Sequence, residues 1–138
     1  MKDPLLGRPL GITNCPNGAC AGALESPWAD RGRLHLRNNL AGMRLLVQGC
    51  NVGNSLGLDD LLEAAGASML ATQMAPDLDA VGAAIDAILG DSLSHALATD
   101  RASVVRMHES VREITNFLKM EFTATLQIGS HRLEGDND

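Results

Sequence analysis

The sequence predicts an all-α protein: an up-down helical bundle of three long helices and one or two short ones, with an extended N-terminal loop segment. The 138 residues include 21 Leu and 18 Ala, which favour helix, but only two Phe, one Trp and no Tyr. Apolar residues also recur at spacings of three and four over long stretches. The length suits one domain. We therefore expect a loop segment over residues 1–30 packed on a helical bundle over residues 31–138.

The loop segment contains four of the five prolines. Cys15 and Cys20 flank Pro16-Asn17-Gly18-Ala19, a strong turn signal. A turn there could bring both sulfurs within disulfide reach, which suits an oxidising compartment, whereas two reduced thiols in a loop are the alternative. Cys50 is left over and is expected to be a free thiol near a helix end. The first nine residues lack the hydrophobic region of a signal peptide.

The first helix is predicted to begin near Arg31, with Asp30 as a candidate N-cap. Its apolar face is formed by Leu36, Leu40, Met43 and Val47. A second helical stretch begins near Gly57 and keeps its 3/4 spacing to Ile88. Because the apolar residues keep the same 3/4 spacing on both sides of Pro76, we expect one helix kinked there or two nearly coaxial helices.

Gly90 is a predicted helix stop, and either Asp91 or Ser92 is expected to cap the next helix. A short helix over 92–98 follows from this. The last long helix is predicted from about Asp100 to Ile128, ending at Gly129. Its apolar face is formed by Val104, Met107, Val111, Ile114, Leu118 and Phe122.

The net charge of −6 argues against binding to a phosphate backbone, and the shortage of aromatic residues argues against stacking on single-stranded nucleic acid. No apolar run has the length of a membrane span. Residues 51–100 carry eight acidic and no basic side chains, whereas residues 1–50 carry six basic ones. The acidic middle could face the arginines of the first helix, although a solvated acidic face is the simpler interpretation.

No nucleophile elbow, phosphate loop or zinc-binding helix motif is present. The nearest approach to a metal cluster is His108-Glu109 with Glu113. Ion pairing of Glu109 and Glu113 with the neighbouring Arg106 and Arg112 explains that pattern more simply. We therefore assign no catalytic residue and no metal ligand from these motifs.

The junction between the loop segment and the first helix is denser in polar groups. Its candidate site residues are Glu25, Ser26, His35 and Asn39. Helix N-termini attract anions and offer unpaired N–H groups, and Asn39 lies at the edge of the apolar stripe, where a polar group needs a partner. A ligand site or polar inter-domain contact is one interpretation. Capping by Asp30 with a structural Asn39 is the other.

Several short motifs, in a fixed order, resemble the C-terminal half of imelysin-like (iron-regulated protein A-like) proteins over nearly the whole chain. They are Leu6-Gly7-Arg8-Pro9-Leu10-Gly11, Glu25-Ser26, Asn39-Leu40-Ala41-Gly42, Gly57-Leu58-Asp59-Asp60-Leu61-Leu62 and Glu134-Gly135-Asp136. Glu25, Ser26 and Asn39 match the family pattern. Gly32 and His35 stand where Ser and Asp are expected, and His35 could substitute as a metal ligand.

The resemblance implies an all-α protein of two related helical halves with a site between them. It also implies export to the bacterial periplasm or cell surface, there as a lipoprotein, and a role in iron uptake. Iron or another divalent metal would be the cofactor of the full-length protein. The family's Gly-x-His-x-x-Glu motif belongs to the N-terminal half, and no histidine of this chain matches it.

The first functional hypothesis is therefore non-enzymatic: the chain supplies one wall of an inter-domain ligand or metal site and pairs with the missing N-terminal half. The second is a metallopeptidase of the imelysin type, which would need metal ligands and a general base that this chain lacks. The third is a self-associating module, in which a second copy replaces the missing half. None of the three involves nucleic acid or a transmembrane segment.

Overall fold

The computed structural model of the chain describes residues 6–15, 20–24, 28–50 and 55–127. Its helices, in chain order, are α1 (Gly32–Gln48), α2 (Leu58–Ala64), α3 (Ser68–Asp86), α4 (Leu93–Thr99), α5 (Arg101–Phe117) and the single turn α6 (Thr123–Thr125). These described residues contain no strand, so the predicted all-α fold class is confirmed. No described helix combines the length and apolar character needed to cross a membrane.

Helix α3 is the central element, and α1, α2 and α5 all pack against it. The start of α1 meets the end of α3, since Arg33 bonds to the Gly90 carbonyl, whereas Arg44 near the end of α1 bonds to the Leu78 carbonyl earlier in α3. Helices α1 and α3 are therefore antiparallel. The bundle buries its apolar side chains on both sides of α3, as an up-down arrangement requires.

The core has two clusters, one toward each end of α3. One surrounds the C-terminal half of α3 and is built from Leu6, Leu10, Leu24, Val81, Ile85, Ile88, Leu93, Ala96, Leu97, Val104 and Met107. The other surrounds its N-terminal half and is built from Val47, Leu62, Ala71, Met74, Leu78, Phe117 and Phe122. Leu40 and Ile114 pack against both clusters and join them into a continuous interior.

The predicted second helical stretch breaks at a different residue from the one expected. Helix α2 ends at Ala64 and α3 begins at Ser68, with Gly66 between them at a φ of 79°. A left-handed residue suits glycine and ends a helix. Pro76 lies inside α3, where the buried side chains of Met74 and Leu78 on either side hold the helix to the core. The tertiary contacts therefore outweigh the hydrogen bond that the proline removes.

Side chains cap the beginnings of α4 and α5, and the cap of α4 confirms the predicted short helix. The cap of α1 is not the residue that was expected. Ser92 caps α4, its hydroxyl accepting a 2.9 Å bond from the His95 N–H. Asp100 caps α5 in the same way. The expectation that Asp30 caps α1 is wrong: Arg31 occupies that position, and Asp30 has a φ of 48°. The Asp30 carboxylate instead accepts a bond from the Ser94 hydroxyl at 3.1 Å, and so links the start of α1 to α4.

Part of the N-terminal segment is held against the bundle. Leu6, Leu10 and Leu24 are buried in the first core cluster. The guanidinium of Arg101 donates a hydrogen bond to the Leu10 carbonyl. Cys15 and Cys20 form a disulfide, and their Cα atoms are 6.1 Å apart. Of the two alternatives left open by the sequence, the structure therefore has the disulfide and not the pair of reduced thiols.

The last helix departs from regular α geometry after Phe117. Residues Leu118–Phe122 form a π-helical turn before α6 resumes the α-helix. Phe117 and Phe122 are both buried in the second core cluster, although they are five residues apart. In a regular α-helix a five-residue separation points two side chains in well-separated directions, at about 3.6 residues per turn. The wider π turn accounts for their shared burial.

Candidate functional site

Two of the four predicted site residues can be placed, and both lie on α1. His35 is half-buried and Asn39 is exposed, and their four-residue separation puts them one turn apart on the same side of the helix. Because Asn39 is exposed, its amide is accessible to solvent. Water can satisfy its amide. Glu25 and Ser26 lie outside the described residues.

The side of α1 turned away from α3 is exposed and uncharged. We call it the outward face of α1, and its members are Leu34, Asn38, Asn39, Gly42, Leu45 and Leu46. Its three leucines are between 41% and 63% exposed. His35 lies on the same side of the helix, one turn before Asn38 and Asn39. Single exposed leucines are ordinary on a protein surface, and these three are distinguished by sharing one helix side that carries no charged residue.

A groove lies on the other flank of α1, where the helix meets α3. Its volume is about 230 Å³, and it is lined by Arg37, Leu40, Ala41, Arg44, Gly82, Ile85 and Asp86. The groove exists because small residues occupy its middle: a Cβ added to Gly82 would have its nearest neighbour, a Leu40 methyl, at 3.4 Å. The next nearest atom is Nη2 of Arg44, at 3.5 Å.

An arginine–aspartate pair bounds each end of this groove. At one end, Nε of Arg37 donates to Oδ1 of Asp86 at 3.0 Å. At the other, Nη2 of Arg44 donates to Oδ1 of Asp79 at 2.6 Å and to the Leu78 carbonyl at 3.2 Å. The two arginines and the two aspartates are each seven residues apart, which is about 10 Å along a helix axis. Because the helices are antiparallel, equal spacing brings both pairs into register.

Arg33 extends this row of contacts to the end of α3. Its side chain is 15% exposed, and its Nη1 donates to the Gly90 carbonyl at 2.7 Å. Its guanidinium also lies 3.9 Å from Asp86 and 4.0 Å from Asp91. Three carboxylates of the acidic middle, those of Asp79, Asp86 and Asp91, therefore lie beside arginines of the first helix while remaining 60–76% exposed to solvent.

The pairs expected along α5 are not formed. Among the described residues, no ion pair joins Glu109 or Glu113 to Arg106 or Arg112, and both glutamates are exposed or nearly so. His108, by contrast, is buried on the core side of α5. Cys50 is an exposed free thiol just beyond the end of α1, as predicted.

The described parts of the chain contain no group of three or more His, Cys, Asp or Glu side chains placed to hold a metal ion. They do not by themselves fit the metal that the resemblance implies. His35 remains the described candidate ligand nearest the predicted junction.

Sequence reasoning missed the groove, although a signal for it was present. Arg37 and Arg44 on one helix, and Asp79 and Asp86 on another, share a seven-residue spacing that suits antiparallel pairing.

Comparisons with protein-family models, with curated proteins and with solved structures find no match to this chain.

Proposed function

We propose that this chain is the C-terminal helical-bundle half of an imelysin-like protein implicated in iron uptake, and that it is not catalytic alone. In this proposal it supplies one wall of an inter-domain ligand or metal site and binds the N-terminal half through the outward face of α1. Glu25, Ser26, His35 and Asn39 are its contributions to that boundary.

The outward face of α1 carries the proposal. An inter-domain contact needs a surface that loses water without stranding charges, because an unpaired buried charge is costly. From Leu34 to Leu46, the only charged side chains of α1 are Arg37 and Arg44, and both are engaged with aspartates of α3. The remaining exposed positions are leucines, small residues and asparagines, whose amides can hydrogen-bond across a polar contact.

The disulfide supports the proposed location. Cys15 and Cys20 are bonded, and disulfides persist in the periplasm and on cell surfaces but are rare in the reducing cytosol. We propose periplasmic or cell-surface residence on this ground together with the resemblance. The proposed metal would need ligands from the N-terminal half, since the described residues of this chain do not converge on one.

The test is reconstitution. The gene region upstream of this chain is read for a helical half with a Gly-x-His-x-x-Glu motif, and that half is purified and titrated with the present chain by calorimetry. We expect a one-to-one complex. Leu45→Glu should weaken it at least tenfold, or about 1.4 kcal/mol, because the substitution buries a charge at the contact.

Met69→Glu is the matched control, since Met69 is exposed on α3 and lies outside the outward face of α1. It should leave the affinity unchanged. Two results contradict the proposal: the two halves fail to associate, or this chain alone forms a stable dimer that Leu45→Glu dissociates. The second result would assign the same face to a second copy.

A further inference from the structure

The groove between α1 and α3 has the features of a small-molecule site. We propose that it binds a small organic monoanion: an apolar body, such as one aromatic ring, that carries a single carboxylate. The inference uses only described residues of this chain and does not depend on an N-terminal half.

The shape of the groove sets the size of the ligand. A cavity of about 150 Å³ is known to hold benzene, whereas sites for drug-sized ligands begin near 300 Å³. At about 230 Å³, the groove lies between these limits in volume, and unlike an enclosed cavity it is open to solvent on one side. Its floor is apolar, because Leu40 and Ile85 form it and Ala41 and Gly82 leave the space above them open. A body of one ring fits this volume and this chemistry.

The guanidinium donors of the groove set the chemistry of the ligand. The groove lining includes the guanidiniums of Arg37 and Arg44, and each is paired with an aspartate of α3, Asp86 and Asp79 respectively, so these four charges balance. Asp86 already accepts two bonds from Arg37. The end with unused donors is the one at Arg44, because Arg37 engages Asp86 through two nitrogens whereas Arg44 engages its partners through Nη2 alone.

Arg44 also keeps donors available. Within the described part of the chain only its Nη2 is engaged, with Asp79 and the Leu78 carbonyl, so Nε and Nη1 have no protein acceptor there. A guanidinium has five N–H donors and binds carboxylates through two of them at once. The geometry therefore places the ligand's carboxylate at Arg44 and its ring over Leu40 and Ile85.

The experiment is a titration of the ¹⁵N-labelled full chain with benzoate, followed by amide chemical shifts. Benzamide serves as the neutral isostere, and acetate as the anion without an apolar body. We expect saturable shifts at Ala41, Gly82 and Ile85 with benzoate, with a Kd in the millimolar range or tighter. The two controls should bind roughly tenfold more weakly.

Three variants test the placement. Arg44→Gln should weaken benzoate binding roughly tenfold through loss of a charge-assisted contact. Ala41→Leu should abolish it by filling the groove. Asp79→Asn should strengthen it, because the competing carboxylate is removed. Arg112→Gln is the matched control on exposed α5 surface and should change nothing.

The proposal is overturned if benzoate gives no saturable shifts in the groove, or if acetate and benzoate shift the same amides equally. It is also overturned if Asp79→Asn weakens binding as much as Arg44→Gln. Circular dichroism and thermal unfolding of each variant separate loss of the site from loss of the fold. Failure here leaves reconstitution with the N-terminal half untouched, since that contact uses the opposite flank of α1.

Discussion

The guanidinium of Arg33 donates a 2.7 Å hydrogen bond to the carbonyl oxygen of Gly90 and so fastens the beginning of α1 to the chain just beyond α3. Gly90 lies four residues beyond Asp86, the last residue of α3, in the turn that leads to α4. Arg33 supplies both a donor and a positive charge there, while Asp86 and Asp91 lie within 4.0 Å. This contact sets where α1 sits on α3.

Replacing Arg33 should therefore cost more than replacing an ordinary surface arginine. We expect Arg33→Met to lower the free energy of unfolding by about 1–3 kcal/mol, because a charge-assisted bond from a side chain only 15% exposed is lost. Arg112→Met, on exposed α5 surface, should stay within about 0.5 kcal/mol of the parent. Urea denaturation followed by circular dichroism measures both. Equal effects would show that the contact with Gly90 adds nothing to stability.

Two glycines should respond to alanine in opposite directions. A Cβ on Gly57 would press against the Val47 carbonyl and lie 2.7 Å from the Gly49 nitrogen, and backbone atoms cannot move aside cheaply. Gly57→Ala should destabilise the fold by about 2 kcal/mol or more. Gly42 is inside α1 with nothing within 4 Å of its added Cβ, so Gly42→Ala should stabilise by about 0.5–1 kcal/mol.

Thermal unfolding of the two glycine variants beside the parent gives the comparison. A stable Gly57→Ala protein would mean that the loop after α1 does not approach α2 as closely as described. A destabilised Gly42→Ala protein would mean that the outward face of α1 is already covered by part of this chain.

Two methionines provide a comparison of core and surface. Met107 is 0% exposed in the first core cluster, whereas Met69 is 88% exposed in the first turn of α3. We expect Met107→Ala to cost about 2–5 kcal/mol, since it leaves a cavity. Met69→Ala should change stability by less than about 0.5 kcal/mol. Chemical denaturation at one protein concentration measures the unfolding free energy of both variants. Similar losses for Met107→Ala and Met69→Ala would contradict the assignment of Met107 to the core.

The disulfide should stabilise the fold, because it ties a segment whose Leu10 and Leu24 belong to the core. Loss of the bridge, by reduction or by replacing both cysteines with serine, should lower the unfolding free energy by about 2 kcal/mol for so short a loop. Cys50→Ser removes the exposed free thiol and serves as the control. A bridged protein no more stable than the double variant would show that the N-terminal segment is held by packing alone.

The helices could be predicted because their signals are local. The apolar stripe from Leu36 to Val47 follows directly from the spacing of three and four residues between its members. The Ser92 cap follows from the preference of serine for a helix N-cap just after a turn signal. The break at Gly66 was missed because the apolar phase continues through it. The helix passes through Pro76 because packing around Met74 and Leu78 overrides local preference, and packing cannot be read from one segment.

The groove could not be predicted for a related reason. Arg37 meets Asp86 only once the antiparallel register of α1 and α3 is known, and the two residues are 49 positions apart. Charge counts showed that the arginines and the acids were complementary, but they could not choose between contact and solvation. Of the predicted junction, His35 and Asn39 are placed on one side of α1, and Glu25 and Ser26 stay predictions.

The π-helical turn at Leu118–Phe122 has a consequence for insertions and deletions. A π turn accommodates one residue more than the α turn it replaces, and Met120 lies exposed within it. Deleting Met120 should therefore restore an ordinary α-helix and leave α6 in register with the core. The same deletion in the middle of α5 would rotate every later side chain by about 100° and expose Phe117 and Phe122. Relatives of this chain should accordingly tolerate a difference of one residue in length at this turn and not in α5.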